Sequence, residues 1–225
     1  MDQKSVFLNG EADAFFQRNK NQMEENKGIY PWVELLSDYI ERTQLFEKGG
    51  ELLEIGACYG RNLKHFKDKF GLTCYGIEPS KEAVNYGNEI YNGEISLQHG
   101  TSDVLPYGDE KFDIVILGFC MFFVDRKDLM KSVSEADRVL KENGYLVITD
   151  FDTKMAFKRE NIYNPEVWTY KMQYSHLFLS NPQYFLVEKR NYSMGNGLFC
   201  EDIQERMTLD IIYKDSIDNA YIKGY

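Results

Sequence analysis

Between residue 51 and about residue 151, the chain alternates short apolar runs with amphipathic stretches of helical spacing. Apolar runs bounded by glycine or polar residues predict strands, and the stretches between them predict helices. Strand–helix–strand alternation predicts an α/β fold, with helices on both faces of a doubly wound, mostly parallel sheet. The predicted strands are Glu51–Ile55, Thr73–Ile77, Ile95–His99, Phe112–Leu117 and Tyr145–Thr149, and the predicted helices are Arg61–Phe70, Ser80–Ile90 and Asp125–Lys141.

The two ends of the chain follow other patterns. Apolar residues at three- and four-residue steps predict N-terminal helices, and Asn143-Gly144 predicts the end of the helix before it. Two period-two segments, Tyr184–Ser193 and Gln204–Lys214, predict an antiparallel strand pair at the edge of a seven-stranded sheet. We therefore expect a single domain over residues 1–225, made of a helical cap (1–48), a core (51–151) and an insertion with the terminal strand pair (152–225).

Composition and charge exclude several classes of function. The net charge is −10, and no cluster of Lys and Arg suits a nucleic-acid partner. The start of the chain lacks the pattern of a secretory signal, and the apolar run Ile114 to Val124 is too short to span a membrane. The four cysteines lack zinc-site spacing, so we expect no metal. A cytoplasmic protein without a membrane partner fits these observations.

The strongest local motif is Glu54-Ile55-Gly56-Ala57-Cys58-Tyr59-Gly60. A predicted strand ends in this motif, turns between two glycines and continues as a helix. Gly56 and Gly60 allow tight backbone geometry and close approach of a ligand, and ligands bind at such strand ends. Two alternatives remain, a turn whose glycines serve packing only and a dinucleotide-binding turn. The second requires G-x-G-x-x-G, and Cys58 stands where its middle glycine would be.

Two further acidic residues follow the next strands along the chain. Glu78 closes the second strand, where a carboxylate can accept hydrogen bonds from both hydroxyls of a ribose. Asp103 follows the third strand and can accept a hydrogen bond from an adenine amino group, while Val104 packs on the ring. The alternatives are a surface acid that begins a helix and an Asp in a turn. Together the three positions indicate a ligand containing adenosine.

From about Glu51 to Phe151 the chain resembles the class I S-adenosylmethionine-dependent methyltransferases. Leu-Glu-Ile-Gly-x-x-x-Gly resembles their first motif and Gly-Ile-Glu their second, and the segment from Ser102 to Pro106 resembles their adenine loop. The segment from Phe112 to Val115 resembles their fourth strand, and the segment from Arg138 to Gly144 resembles the turn before their fifth strand. Cys58, where the common pattern has glycine, departs from the family and implies a slightly different curve of the loop.

The resemblance implies a Rossmann-like fold and S-adenosylmethionine as cofactor, released as S-adenosylhomocysteine. Glu54 would lie near the methionine amino group, Glu78 would bind the ribose, and Asp103 would bind adenine. Phe119, just past the fourth strand, would lie beside the methyl donor. The residues that the resemblance assigns to the cofactor are Glu54, Gly56, Ala57, Gly60, Glu78, Ser102, Asp103, Val104, Gly118 and Phe119.

The segment from Asn9 to Asn19 is similar to the start of small methyltransferases of bacterial surface-glycan pathways, including the pseudaminic-acid-associated type. The region around Tyr170 is similar to that group too. This resemblance implies a small-molecule acceptor: a sugar, a nucleotide-activated precursor or a phosphorylated metabolite of capsule or surface polysaccharide biosynthesis. It also implies that residues 152–225 lie on the acceptor side.

His176 is the favoured candidate for a general base, ahead of His65 and His99, and its alternative is a packed or exposed histidine. Arg18 could hold an acceptor phosphate or carboxylate, and its alternative is a solvated helix face. The full set of acceptor-side candidates is Asp13, Arg18, Asn19, Tyr170 and Tyr174.

Three functions therefore stay open: a small-molecule methyltransferase, a non-catalytic S-adenosylmethionine-binding regulatory module, and an NAD-dependent oxidoreductase, which Cys58 disfavours. The sequence leaves open whether oxygen or nitrogen is methylated, and which oligomer forms.

Overall fold

The computed structural model describes residues 2–25, 29–46 and 49–224. Its strands are β1 Glu51–Ile55, β2 Thr73–Glu78, β3 Ser96–His99, β4 Phe112–Gly118, β5 Leu140–Phe151, β6 Phe157–Glu160, β7 Trp168–Lys171, β8 Tyr184–Tyr192 and β9 Met207–Lys214. Its α-helices are α1 Gln3–Val6, α2 Ala12–Glu25, α3 Pro31–Thr43, α4 Arg61–Phe70, α5 Lys81–Tyr91, α6 Leu129–Val139, α7 His176–Leu179 and α8 Ile217–Ala220.

Seven strands form one sheet in the order β3-β2-β1-β4-β5-β9-β8. The strands β1 to β5 are parallel, and β9 runs antiparallel to both β5 and β8. The predicted doubly wound, mostly parallel sheet with a terminal antiparallel pair is therefore confirmed. Because β1, β2 and β4 are adjacent and parallel, their carboxyl ends meet at one edge of the sheet, where such folds bind ligands.

Local sequence explains where the core helices begin and end. Ser80 caps α5, because its hydroxyl accepts a hydrogen bond from the amide of Ala83 at 3.0 Å. Pro31 occupies the first turn of α3, where its missing amide hydrogen costs nothing. Apolar side chains fill a core on each face of the sheet, including Leu52 on one side and Leu53 on the other.

The predicted helix Asp125–Lys141 is wrong at both ends, since α6 spans only Leu129–Val139. Asn143 and Gly144 do not end this helix but lie within β5, where the pairing with β4 shifts register. Asn143 has φ 62°, a left-handed conformation that suits such an irregularity as well as it suits a helix end. The local signal was real, but strand pairing decided its use.

The insertion is more ordered than the sequence indicated. The strands β6 and β7 form a separate antiparallel hairpin, and α7 follows it. At the N-terminus a π-helical segment, Phe7–Glu11, joins α1 to α2, and Gly10 within it has φ 137°. The N-terminal helices are thus confirmed, while residues 47 and 48 at the predicted end of the cap lie outside the described residues. Across the ranges described, no helix is long and apolar enough to cross a membrane.

Candidate functional site

A cleft lies at the carboxyl ends of β1, β2 and β4, and the N-terminal helices cover one side of it. Its empty volume is about 950 Å³, including the mouth. That volume is of the size found for small-molecule sites. Five of the residues assigned to the cofactor line it: Gly56, Glu78, Ser102, Asp103 and Phe119.

The turn after β1 uses three left-handed residues. Gly56 has φ 84°, and a Cβ added to it would lie 2.7 Å from the Cβ of Cys120. Cys58 has φ 49°, and its amide donates a hydrogen bond to Oε2 of Glu78 at 2.9 Å. Gly60 has φ 83° and precedes α4, but an added Cβ there would lie 2.4 Å from Ile95. Gly56 therefore serves the cleft, whereas Gly60 serves packing behind it.

Glu78 lies at the end of β2 and lines the cleft. Its two oxygens accept hydrogen bonds from the amides of Ser80 and Cys58, both at 2.9 Å. Burial raises the pKa of this carboxyl to about 7. The two amides fix its orientation, and the remaining lone pairs fit the hydroxyls of a ribose.

Glu54 lies in β1 and is 1% exposed. One oxygen accepts a hydrogen bond from Nδ2 of Asn62 at 2.8 Å, and Oε2 has no partner among the residues that the structure describes. Burial raises its pKa to about 8, and the charge of Glu78 adds to the shift. A buried, unpartnered carboxylate oxygen is costly unless a ligand supplies a donor. An ammonium group such as that of S-adenosylmethionine fits this position.

The predicted adenine loop is only partly placed at the cleft. Asp103 lines it, and its Oδ2 accepts a hydrogen bond from the ammonium of Lys4 at 2.6 Å. Ser102 lines it as well, with its hydroxyl 2.7 Å from that of Ser132. Val104 is 66% exposed and is not part of the lining, so its packing on adenine stays a prediction.

Two other assigned residues lie beside the cleft rather than on its surface. Ala57 is buried in the core, and its Cβ would lie 2.7 Å from a Cβ added at Gly76. Gly118 ends β4 beside Glu54, because a Cβ there would lie 3.0 Å from Oε1 of that residue. Both positions therefore favour the shape of the site without forming its wall.

The segment 2–16, here called the lid, carries Lys4, Phe7, Phe15 and Phe16 over the cleft. Gln3 fastens the lid. Its amide side chain donates to the carbonyls of Phe123 at 2.7 Å and Trp168 at 2.9 Å, and accepts from the amide of Trp168 at 2.8 Å. The lid therefore joins the end of β4 to the β6–β7 hairpin.

The N-terminal acceptor candidates do not line the cleft. Asp13 accepts hydrogen bonds from the hydroxyl of Ser80 at 2.6 Å and the amide of Glu82 at 3.0 Å, so it holds the start of α5. Arg18 pairs with Glu11, and its guanidinium lies 4.7 Å from the ring centre of Tyr163. Asn19 donates to the carbonyl of Phe15 at 2.7 Å.

The candidates in the insertion also lie away from the lining. Tyr174 is buried, donates to the carbonyl of Tyr170 at 2.6 Å and accepts from Arg126 at 3.2 Å. The ring of Tyr170 lies under Arg126, 4.4 Å from the guanidinium carbon. His176 is exposed at the start of α7. The structure gives these tyrosines a packing role and does not bring His176 to the cleft.

The sequence analysis missed several functional candidates. Cys120, Phe123 and Asp125 follow β4 and line the cleft. Asp150, at the end of β5, is 1% exposed, and its Oδ2 has no partner in the described part of the chain. Burial raises its pKa to about 8. The available signal was its position, since Asp150 closes a strand as the other acidic residues do.

Residues 53–148 match the family model described as "Methyltransferase domain". An uncharacterized methyltransferase of Bacillus subtilis, YcgJ, is 30% identical over 103 residues, which are 44% of this chain and 40% of that protein. A demethylmenaquinone methyltransferase of Alkalihalophilus pseudofirmus is 33% identical over 92 residues, 39% of this chain and 38% of that protein. The chain thus spans less than half the length of these relatives.

Solved structures share the fold at low sequence identity. A Burkholderia thailandensis 1,6-didemethyltoxoflavin-N1-methyltransferase, with 1,6-didemethyltoxoflavin and S-adenosylhomocysteine bound, has a TM-score of 0.72 at 12% identity, over 94% of this chain and 89% of that one. A Clostridium acetobutylicum S-adenosylmethionine-dependent methyltransferase has a TM-score of 0.64 at 13% identity, over 91% and 99%. Together with the family match, these findings support an S-adenosylmethionine-dependent methyltransferase.

Proposed function

We propose that this chain transfers the methyl group of S-adenosylmethionine to a small-molecule acceptor. The observation that carries the proposal is the unpartnered Oε2 of Glu54, which lies at the same sheet edge as the cleft. Glu78 and Asp103 extend the site along the next two strands. An ammonium, a ribose and an adenine match this order of three carboxylates. The methyltransferase domain match over residues 53–148 supports the same ligand.

The chain's own residues act by binding and by orientation. When bound, the cofactor supplies an electrophilic methyl group on a sulfonium. Glu54 and Glu78 would hold its amino and ribose groups, so that the methyl position is fixed beside Phe119. Phe7 and Phe15 of the lid exclude water from that position. Fixing two reactants at attack distance can supply much of the rate of such a displacement.

The acceptor class follows from the similarity of the segment 9–19 to surface-glycan methyltransferases. We propose a sugar or a sugar precursor. Lys4 is the one basic residue among the described residues that line the cleft, and it is paired with Asp103. Phosphate recognition generally uses Arg or Lys, so an acceptor without phosphate at the reacting end fits this lining better than a phosphorylated metabolite.

Calorimetry with S-adenosylhomocysteine and with NAD tests the cofactor. We expect tight binding of S-adenosylhomocysteine and none of NAD; the reverse result would contradict the proposal. Glu78→Ala should weaken S-adenosylhomocysteine binding by about 10- to 100-fold, the loss expected for a hydrogen bond to a charged group. The exposed Glu89→Ala is the matched control and should bind normally.

Transfer itself is tested by incubating the protein with methyl-labelled cofactor and either cell extract or a panel of nucleotide-sugars. Mass spectrometry then identifies the labelled product. A protein that binds S-adenosylhomocysteine but labels no acceptor in extract or panel would instead favour the non-catalytic regulatory module.

A further inference from the structure

Three phenylalanine rings meet at the lid side of the cleft. The ring centres of Phe7 and Phe123 are 5.0 Å apart with planes at 50°, and those of Phe15 and Phe123 are 6.3 Å apart with planes at 76°. All three residues line the cleft, and Phe15 is 38% exposed. Among the residues the structure describes, no Lys or Arg lies over any of these three rings. Their faces are therefore open to a ligand.

A carboxylate without a counter-charge lies in the same wall. Asp125 accepts hydrogen bonds from the amides of Gln3 at 3.0 Å and Lys127 at 3.2 Å. No Lys or Arg in the described ranges pairs with it. The neighbouring cations are engaged elsewhere: the ammonium of Lys4 by Asp103, and that of Lys127 by Asp2.

The third neighbouring cation, Arg126, is also unable to neutralise this carboxylate. Its guanidinium donates to the carbonyls of Met121 and Val124 and to the hydroxyl of Tyr174. It also lies over the rings of Tyr170 and Tyr174. The wall therefore keeps a net negative charge next to three aromatic faces. Aromatic faces attract cations, and a carboxylate nearby adds to that attraction.

We propose that Phe7, Phe15, Phe123 and Asp125 form a subsite for a positively charged nitrogen, so that the methyl acceptor is an amine. This inference rests on the proposed function and specifies its acceptor. An amine-bearing sugar satisfies both. A phosphorylated reacting end does not, since Asp125 would repel it.

The chemistry of transfer agrees with this subsite. The lone pair of a neutral amine forms the new C–N bond, the C–S bond breaks, and its electron pair stays on sulfur as S-adenosylhomocysteine. One positive charge thereby moves from sulfur to nitrogen, and a proton afterwards leaves the nitrogen to water. The open rings and Asp125 stabilise that charge at the nitrogen. No general base has to act during the displacement, which agrees with the exposed position of His176.

The test compares two probes of equal shape and different charge. Protein saturated with S-adenosylhomocysteine is titrated calorimetrically with choline and, separately, with 3,3-dimethylbutan-1-ol. Saturation blocks the cofactor's own site, so choline cannot report the sulfonium position. We expect choline to bind about 10-fold or more tightly than the alcohol, as for a cation on desolvated aromatic faces.

Two variants and one matched control assign the preference to the subsite. Asp125→Asn and Phe123→Leu should each reduce the choline preference while leaving binding of the alcohol unchanged. Asp128→Asn is the control, because Asp128 also lines the cleft but already pairs with Lys131 at 3.1 Å. Thermal unfolding of each variant verifies that it is folded, and Phe123→Leu keeps the test valid where Asp125→Asn perturbs the turn.

The outcomes separate this inference from the proposed function. Equal affinity for the two probes, or a preference that persists in both Asp125→Asn and Phe123→Leu, overturns the amine subsite. Binding of S-adenosylhomocysteine would leave the proposed function intact in that case. Failure to bind S-adenosylhomocysteine would instead overturn the proposed function, and the inference with it.

Discussion

Gly56→Ala tests whether the turn after β1 needs a residue without a side chain. The substitution has two costs. An alanine at φ 84° adopts a left-handed conformation, which costs about 1–2 kcal/mol. Its Cβ would also lie 2.7 Å from the Cβ of Cys120 and 3.2 Å from the carbonyl oxygen of Gly118, and overpacking of this kind costs about 1–3 kcal/mol more.

Gly93→Ala is the matched control. Gly93 has φ 83°, nearly the value of Gly56, and no atom lies within 4 Å of an added Cβ. It should therefore lose only the backbone part, about 1–2 kcal/mol, while Gly56→Ala should lose about 2–5 kcal/mol in all. Urea unfolding measures both losses. Calorimetry with S-adenosylhomocysteine should show weaker binding for Gly56→Ala alone, because only Gly56 lines the cleft.

Equal losses of stability in the two variants would refute the reasoning, since they would mean that contact with Cys120 costs nothing. The double variant Gly56→Ala/Cys120→Gly is a further check. Removing the Cβ of Cys120 should restore the contact part, so the two substitutions should couple favourably in a double-mutant cycle. Additive losses would place the strain elsewhere in the turn.

Three other substitutions address single groups. Lys4→Met removes the ammonium that occupies Asp103, so S-adenosylhomocysteine should bind more tightly by calorimetry; weaker binding would make Lys4 a cofactor ligand. Burial raises the pKa of Asp150 from 3.8 to about 8, so wild-type stability should fall as pH rises across that range. In urea unfolding Asp150→Asn should lack that part of the fall, and parallel curves would count against it. His176→Ala should leave labelled methyl transfer unchanged, whereas a loss of about 100-fold would identify a general base.

The core of the fold was predictable because its signals are local. Each strand from β1 to β4 is a short apolar run, and Ser80 alone indicates where α5 begins. The β6–β7 hairpin was missed because Phe157–Glu160 is exposed along its whole length, so it carries no alternating apolar pattern. Its order comes from pairing with Trp168–Lys171, a contact that no period within either segment reveals.

The cofactor side of the site was predictable for a similar reason, and the acceptor side was not. Glu54, Glu78 and Asp103 each belong to a motif that can be recognised within its own few residues. The wall formed by Phe7 and Phe123 exists only after the lid has folded onto the end of β4. Tyr174 shows the converse error, because a tyrosine in the right segment was used to hold Arg126.

Cys58 shows how a departure from a motif can keep its geometry. Where the family pattern has glycine, Cys58 adopts φ 49°, at the cost that left-handed backbone imposes on a residue with a side chain. That conformation accompanies the hydrogen bond from its amide to Oε2 of Glu78, which fixes the carboxylate proposed to bind ribose. If this bond offsets the strain, Cys58→Gly should stabilise the fold by removing the strain and leave S-adenosylhomocysteine affinity unchanged, because the amide is retained. Weaker binding in Cys58→Gly, measured by calorimetry, would show instead that the side chain itself contacts the cofactor.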